Sequence, residues 1–338
     1  MKIKVGIVGA TGYAGEEIIK ILLRHNAVEI TSLAAVIDKP TVFSEMFPAY
    51  RGRMELVCNT LDADEMINRA DVVFLALPHT VSMQYAPIFL KAGKKVIDLS
   101  ADYRLDEKTF TKWYKHDHID KDNINNAVYG LPELYKEKIK KATLLANPGC
   151  YPTATILAAA PAVKNKLTAG PIITDAKSGV TGAGRKASID LLFAEVDENL
   201  KAYKINEHQH MPEIAKYVSE AAGQAVKVNF VPHLIPIRRG ILSTVYIPLK
   251  SGMDEKQAVE MYKKFYKDAP FVRVYQQGRY PEIKNVVNTN YCDIGVKVSD
   301  DLLIIVSCID NLIKGAAGQA VQNMNIMCSF PEEEALIN

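Results

Sequence analysis

Apolar positions in the first third of the chain fall into short β-branched runs separated by stretches with helical spacing. Lys4 to Gly9 is one such run, glycines follow at positions 9, 12 and 15, and apolar residues then recur every three or four positions from Ala14 to His25. This predicts a strand, a tight turn and a helix. Val28 to Val36, Asp71 to Leu77 and Lys95 to Leu99 read as further strands with helical segments between them. Strands alternating with helices predict an α/β architecture, a Rossmann-type doubly wound parallel sheet. Around Asn147 the character changes. NPGCYPTAT opens an Ala-rich helix, and strand-like runs become denser at Gly170 to Ala176, Val226 to Val231, Leu242 to Leu249, Asp293 to Val298 and Leu302 to Cys308. A second, α+β domain is expected there. Gly315 to Met327 is helical by spacing and is expected to return to the first domain. The predicted division is therefore 1–149 completed by 312–338, and 150–311.

Length supports this division, because 338 residues exceed the size at which one hydrophobic core usually stops growing. The charge balance is close to even, with 41 basic and 39 acidic residues, and no basic run resembles a nucleic-acid or lipid-binding tract. A small-molecule partner is favoured over nucleic acid or membrane. Five cysteines, an odd count with no CxxC pair, fit reduced thiols. The N-terminus lacks a signal-peptide pattern and no apolar stretch is long enough to span a bilayer. A cytoplasmic protein is expected.

Gly9, Thr11, Gly12, Tyr13, Ala14 and Gly15 belong to a GxxGxxG turn between a strand and a helix, where backbone amides and the helix N-terminus can meet a pyrophosphate. The second strand ends Ala34-Ala35-Val36-Ile37 with Asp38-Lys39 just beyond, so it lacks the usual acid for an NAD ribose. Lys39 can meet a 2′-phosphate and Asp38 opposes it, which leaves NAD and NADP both open. Cys150 follows a Pro-Gly turn and precedes Pro152, which suits the first turn of a helix. A thiol at a helix N-terminus is held toward thiolate and makes a usable nucleophile. His208 and His210 stand two apart before a helix expected to begin at Pro212, and in an extended segment their rings point the same way. They read either as a base with a carbonyl-polarising partner or as two metal ligands. A zinc site needs a third ligand that no other histidine motif provides. His116 and His118 form a second pair in what reads as a solvated loop, and a structural or surface role is expected of them. The Gly/Ser loop from Asp175 to Arg185 can offer amides and hydroxyls to an anion, with Ser178 and Gly179 as its cofactor-contact candidates. Arg104 and Arg239 are candidate anion clamps.

The blocks GATGYAGEE, LALPHTVS, VIDLSADYRL, YGLPELY, NPGCYPT, DAKSGVTGAGR, HQHMPEI, FVPHLIPIRRGILSTVYIPL and DNLIKGAAGQAVQNMN together closely resemble the N-acetyl-γ-glutamyl-phosphate reductase family over essentially the full length. The resemblance implies an NADPH-dependent reduction of an acyl phosphate to a semialdehyde through a cysteine thioester, in arginine biosynthesis. It implies Cys150 as nucleophile, His208 as acid/base, His210 as a substrate-orienting or oxyanion-supporting group, and Tyr203 and Glu213 as supporting residues on the substrate side. No metal is implied. The family's second strand commonly ends in Ser and Arg where this chain has Ala35 and Val36, which leaves Lys39 for the 2′-phosphate. A homo-oligomer, dimer or tetramer, is also implied, with substrate and phosphate as the small-molecule partners.

Overall fold

The computed structural model describes residues 2–250 and 252–337. The chain divides into two compact units, 1–148 with 316–338 and 149–315.

The first unit is built on eight strands: β1 (Ile3–Val8), β2 (Val28–Ala34), β3 (Thr41–Val42), β4 (Val57–Asn59), β5 (Val72–Leu75), β6 (Lys95–Asp98), β7 (Val128–Tyr129) and β8 (Leu144–Ala146). Their order across the sheet is β3-β4-β2-β1-β5-β6-β8-β7, and every pairing except β3 with β4 is parallel. The chain reverses direction of growth at β1, so β1 to β2 and β1 to β5 flank a topological switch point, the place where doubly wound sheets take their ligands. Val72, Val73, Phe74 and Leu75 are all buried, as a central parallel strand covered on both faces requires. The helix Gly318–Met327 is buried along its whole length and is entered through a π-turn at Ile313–Ala317. Its polar side chains have partners: Asn323 donates to the Gly130 carbonyl at 2.8 Å, and Asn325 lies 2.9 Å from His25 Nε2.

The second unit carries a seven-stranded mixed sheet: β9 (Ile172–Ser178), β10 (Lys201–Ala202), β11 (Val228–Leu234), β12 (Ile241–Pro248), β13 (Val272–Val274), β14 (Cys292–Ser299) and β15 (Leu302–Ile309). The order is β10-β11-β9-β12-β15-β14-β13. One face is covered by the helix Cys150–Lys164, which is buried from Tyr151 to Val163. Its Thr155 hydroxyl lies within hydrogen-bond distance of Thr174 and Ser243 on that face, at 3.3 and 3.2 Å. This packing fixes the helix, and so its first residue, against the sheet.

Two expectations are corrected. The second strand stops at Ala34, and Val36 is fully exposed. His118 is not in a solvated loop: it is 1 % exposed and its Nε2 lies 2.7 Å from the Asp102 carbonyl oxygen, while the rings of Tyr103 and Phe110 pack against it. The polar sequence around it disguised a residue that fills an interior gap. His116 is exposed, as expected. Among the described residues, no helix is long and apolar enough to cross a membrane.

Candidate active site

The glycine turn of the first unit shows which glycines the fold itself needs. Gly9 has φ +86°, and a Cβ there would lie 2.2 Å from the Ala76 carbonyl oxygen. At Gly15 a Cβ would lie 2.2 Å from the Gly9 carbonyl oxygen. At Gly12, by contrast, φ is −74° and the nearest atom to a Cβ would be 3.4 Å away. Packing therefore does not demand a glycine at position 12, and its bare backbone leaves room for close approach. The amides of Gly9 and Ala10 donate to the Ala34 carbonyl, at 2.7 and 3.0 Å, which holds the turn closed. No side chain caps the helix Tyr13–Leu22, and among the described residues the Thr11 amide has no protein acceptor. A turn with an uncapped helix start and a vacant glycine face fits a dinucleotide pyrophosphate. Thr11, Gly12, Tyr13 and Ala14 are all half-buried on this turn, and Lys39 is exposed beyond β2.

In the second unit, Cys150 is the first residue of its helix. Gly149 before it is extended (φ −70°, ψ 159°), and its amide donates to Glu213 Oε1 at 2.9 Å. Glu213 is 1 % exposed, so this carboxylate orients the turn ahead of the thiol. The Gly149 carbonyl accepts from both the amide and the hydroxyl of Thr153, at 2.9 Å each. Two close approaches leave no room for side chains here. A Cβ on Gly149 would lie 2.6 Å from His210 Nε2, and one on Gly315 would lie 2.8 Å from Cys150 Cβ. Cys150 is partly accessible, whereas burial pushes the thiols of Cys58 and Cys328 up to about 11 and that of Cys308 up to about 12. Those three are inert at neutral pH.

The two histidines lie beside this turn. Their segment is turned, not extended, with φ positive at Lys204 and Asn206, and the following helix begins at Met211. The rings are nevertheless adjacent, with centroids 4.8 Å apart. Tyr151, Tyr203 and Phe230 each present a ring to His208, at 5.5 Å between centroids and at steep angles. Burial, with the charge of Lys204 adding to it, pushes His208 down to about 4. The hydroxyls of Tyr151 and Tyr203 lie 3.2 Å apart, and Tyr151 also donates to the His233 carbonyl at 3.0 Å. Burial pushes Tyr203 up to about 12 and raises Tyr151 well above the ordinary phenol range. Both phenols stay protonated.

Two expectations about anion contacts are corrected by the hydrogen bonding. Arg104 is 3 % exposed, and its guanidinium donates to the carbonyl oxygens of Asn147 and Leu99, at 2.8 and 2.6 Å. It braces the end of β8 and does not stand as an open clamp. In the Gly/Ser loop, the amides of Gly179, Val180 and Thr181 bond to the carbonyls of Gly240, Ile237 and Arg238, at 2.9, 2.9 and 3.2 Å. The Ser178 hydroxyl donates to the Gly179 carbonyl. The loop is thus knitted to the 237–240 turn. Arg239 is more open: its NH1 lies 3.2 Å from Asn288 Oδ1 and 3.4 Å from Asp310 Oδ2.

Sequence reasoning missed Tyr151 and Phe230 as walls of the histidine cage, and Gly315 as the residue behind the thiol. Tyr151 has a local signal, since it adjoins Cys150. Phe230 has none, being one apolar residue of a strand. Among the described residues, no three His, Cys, Asp or Glu side chains gather as a metal site.

Residues 4–142 match the semialdehyde dehydrogenase NAD-binding domain, and residues 150–311 match the semialdehyde dehydrogenase dimerisation domain. The chain is 46% identical over 340 residues to the N-acetyl-gamma-glutamyl-phosphate reductase of Pelotomaculum thermopropionicum, covering 99% of this chain and 98% of that protein. It is 47% identical over 339 residues to that of Desulfotalea psychrophila, with the same coverage. Among solved structures, aspartate semialdehyde dehydrogenase II from Vibrio cholerae, complexed with ASA, shares the fold at TM-score 0.73 and 17% identity, over 97% of this chain and 99% of that one. The aspartate semialdehyde dehydrogenase from Candida albicans, solved with NADP, does so at TM-score 0.70 and 16% identity, with the same coverage. With a dinucleotide turn, a thiol at a helix start and near-full-length likeness at this level, the chain belongs to the N-acetyl-γ-glutamyl-phosphate reductase family of semialdehyde dehydrogenases.

Proposed function

We propose that the protein reduces N-acetyl-L-glutamyl 5-phosphate to N-acetyl-L-glutamate 5-semialdehyde and phosphate, through a thioester on Cys150, as a cytoplasmic step of arginine biosynthesis. The observation that carries this reading is the placement of Cys150 as the first helical residue, preceded by Gly149, whose missing side chain leaves room for His210, and backed by Gly315, whose missing side chain leaves room for Cys150 Cβ. Amide dipoles at the helix start favour the thiolate. The thiolate attacks the carbonyl carbon, phosphate leaves, and the acyl group remains on sulfur. When bound, the dinucleotide supplies the hydride that converts the thioester carbon into an aldehyde carbon. Thr11, Gly12, Tyr13, Ala14 and the Gly9 and Gly15 backbone hold the pyrophosphate. NADP is the expected cofactor, because Val36 offers no carboxylate to a ribose 2′-hydroxyl and Lys39 is free in solvent to meet a 2′-phosphate. Arg239 holds an anionic group of substrate or phosphate. Tyr203 and His210 line the same face as His208, and Glu213 sets the turn.

The reading includes a homo-oligomer. The outer face of the second sheet carries Ile173, Tyr246 and Ile304 in register on β9, β12 and β15, with Ile173 45% exposed and Tyr246 and Ile304 partly exposed.

Phosphate tests the chemistry. Run backwards with the semialdehyde and NADP, a thioester route needs phosphate to release the acyl group, so NADPH formation stops after one turnover without it. Steady oxidation at full rate in phosphate-free, arsenate-free buffer means that water releases the acyl group, and the acyl-phosphate assignment then fails.

A further inference from the structure

A histidine that works as a general base usually gives its Nδ1–H to a carboxylate or carbonyl, which leaves the Nε2 lone pair facing the reactants. His208 is held the other way round. The main-chain N–H of His210 donates to His208 Nδ1 at 3.0 Å, so Nδ1 must carry the lone pair. The single proton of the neutral ring then sits on Nε2. Among the described residues Nε2 has no protein partner, and besides burial the one charge that acts on the ring is the Lys204 ammonium, not a carboxylate. The titratable groups that face it are Tyr151 from the Cys150 helix, Tyr203 from the segment after β10, His210 and the Lys204 ammonium. Phe230 closes the cage from β11. Neither phenol offers a negative charge at neutral pH, because both are held protonated; the remaining titratable group of the site is the Cys150 thiol at the head of the Tyr151 helix, whose charge acts on both phenols. An imidazolium would lose its Nδ1 hydrogen bond and gain a cation close by.

We infer that His208 acts from its neutral Nε2–H form as a hydrogen-bond donor to the substrate oxygen, that the His210 amide fixes this tautomer, and that the ring does not take the Cys150 proton. The inference deepens the reading of the site as a thioester reductase and departs from the acid/base role that the family resemblance implies.

The reductive chemistry is consistent with a donor that never gives up its proton. Thiolate adds to the carbonyl carbon and one C–O electron pair moves to oxygen. The pair returns as the bond to phosphate breaks, and the departing phosphate takes one proton from water. Hydride then adds to the thioester carbon, the pair again moves to oxygen, and it returns as the C–S bond breaks and thiolate leaves. Both tetrahedral species are oxyanions that collapse unaided, and each needs a donor on oxygen while it lasts. A neutral imidazole supplies that donor, as other enzymes have used one whose pKa is held down.

Two measurements without substrate or cofactor test the inference, so they stand or fall separately from the reductase reading. In the full-length protein with 15N-labelled histidine, the His208 ring should show a lone-pair nitrogen at Nδ1 and a protonated Nε2 throughout pH 5.5–8, with no titration; burial holds the ring below its ordinary value, so lowering the pH across that range leaves it neutral. An Nδ1–H pattern, or a titration midpoint inside the range, overturns the inference. Alkylation of Cys150 by iodoacetamide, followed against pH, should have the same midpoint in the wild type and in His208→Gln. A midpoint that moves upward in the variant reveals an imidazolium–thiolate pair and also overturns it. The wild-type spectrum requires no variant to fold. In turnover, His208→Ala should lose about 10²- to 10³-fold, the usual cost of one oxyanion donor. His208→Gln, whose amide N–H reaches a similar position, should recover at least about tenfold of that loss. Equal losses in the two variants would contradict a donor role.

Discussion

Gly315 has no side chain because Cys150 occupies the space that one would need. A Cβ built there falls 2.8 Å from Cys150 Cβ and 3.2 Å from its Cα, and 3.3 Å from the Asp310 carbonyl oxygen. Backbone on one side and the first turn of a fully buried helix on the other give the added methyl nowhere to go, so the thiol itself must shift. Gly315→Ala should therefore fold and bind dinucleotide, while kcat falls by roughly a hundredfold, the scale of an ångström-level misplacement of a reacting group. Cofactor affinity by fluorescence titration and kcat by steady-state assay separate the two effects, and unchanged kcat would remove Gly315 from the site. Cys150 was legible in the sequence because its signals are local: a Pro-Gly turn, a helix start and a proline in the first turn. The state of His208 was not. It depends on which group donates to Nδ1, and that follows from a turn whose positive φ angles at Lys204 and Asn206 nothing in the spacing announces. Arg104 was misread for a related reason, since the carbonyls it serves lie on other elements, as far away in sequence as Asn147.

At the scale of elements, the strand, turn and helix from Ile3 to Leu22 show two uses of glycine in one motif. Gly9 and Gly15 let backbone pass backbone, and Gly12 leaves a surface open. Gly9→Ala places a methyl 2.2 Å from a main-chain oxygen at φ +86°, so it should lower the melting temperature markedly or prevent folding. Gly12→Ala meets nothing closer than 3.4 Å and should melt within a degree or two of the wild type, yet bind NADPH at least about tenfold more weakly, because its methyl stands where the pyrophosphate must approach. Thermal melts and cofactor titrations of both variants check this, and wild-type affinity in Gly12→Ala would move the pyrophosphate elsewhere. The longer strands were readable from their apolar runs: β1, β2, β5, β6 and most of the second sheet appear where β-branched residues cluster. The two- and three-residue strands β3, β4, β7, β8, β10 and β13 were not, being too short for an alternation to show. They exist because longer neighbours leave backbone groups to be paired, a tertiary cause that single-sequence periodicity cannot register.

For the whole molecule, the unexplained surface is the outer face of the second sheet. On the covered face, Thr174, Val245 and Ile305 are buried beneath the Cys150 helix side of the sheet; one residue along each strand, Ile173, Tyr246 and Ile304 point the opposite way. A sheet with one face in water ordinarily alternates apolar inward with polar outward. Here the central three strands keep an apolar row on the outside, with Leu242 and Val306 further along the same face, while the Asp175–Lys177 ion pair of β9 (2.8 Å) stands beyond the row and Lys297 lies on the neighbouring β14. Such a face calls for a cover, and a second copy of the chain meets it with an identical, self-complementary patch. A charge in the middle of the row would then be buried without a partner on assembly, twice for each two-fold contact. Tyr246→Asp should accordingly reduce the mass measured by light scattering to a smaller species at micromolar concentration, while a control substitution at exposed Lys108 leaves it unchanged. Tyr246 faces away from the Cys150 helix, so the cage around His208 has no direct reason to change, and any fall in activity that tracks dissociation would show that assembly supports the site from a distance. A Tyr246→Asp protein that keeps the wild-type mass would place the subunit contact on another surface and leave this apolar row without an occupant.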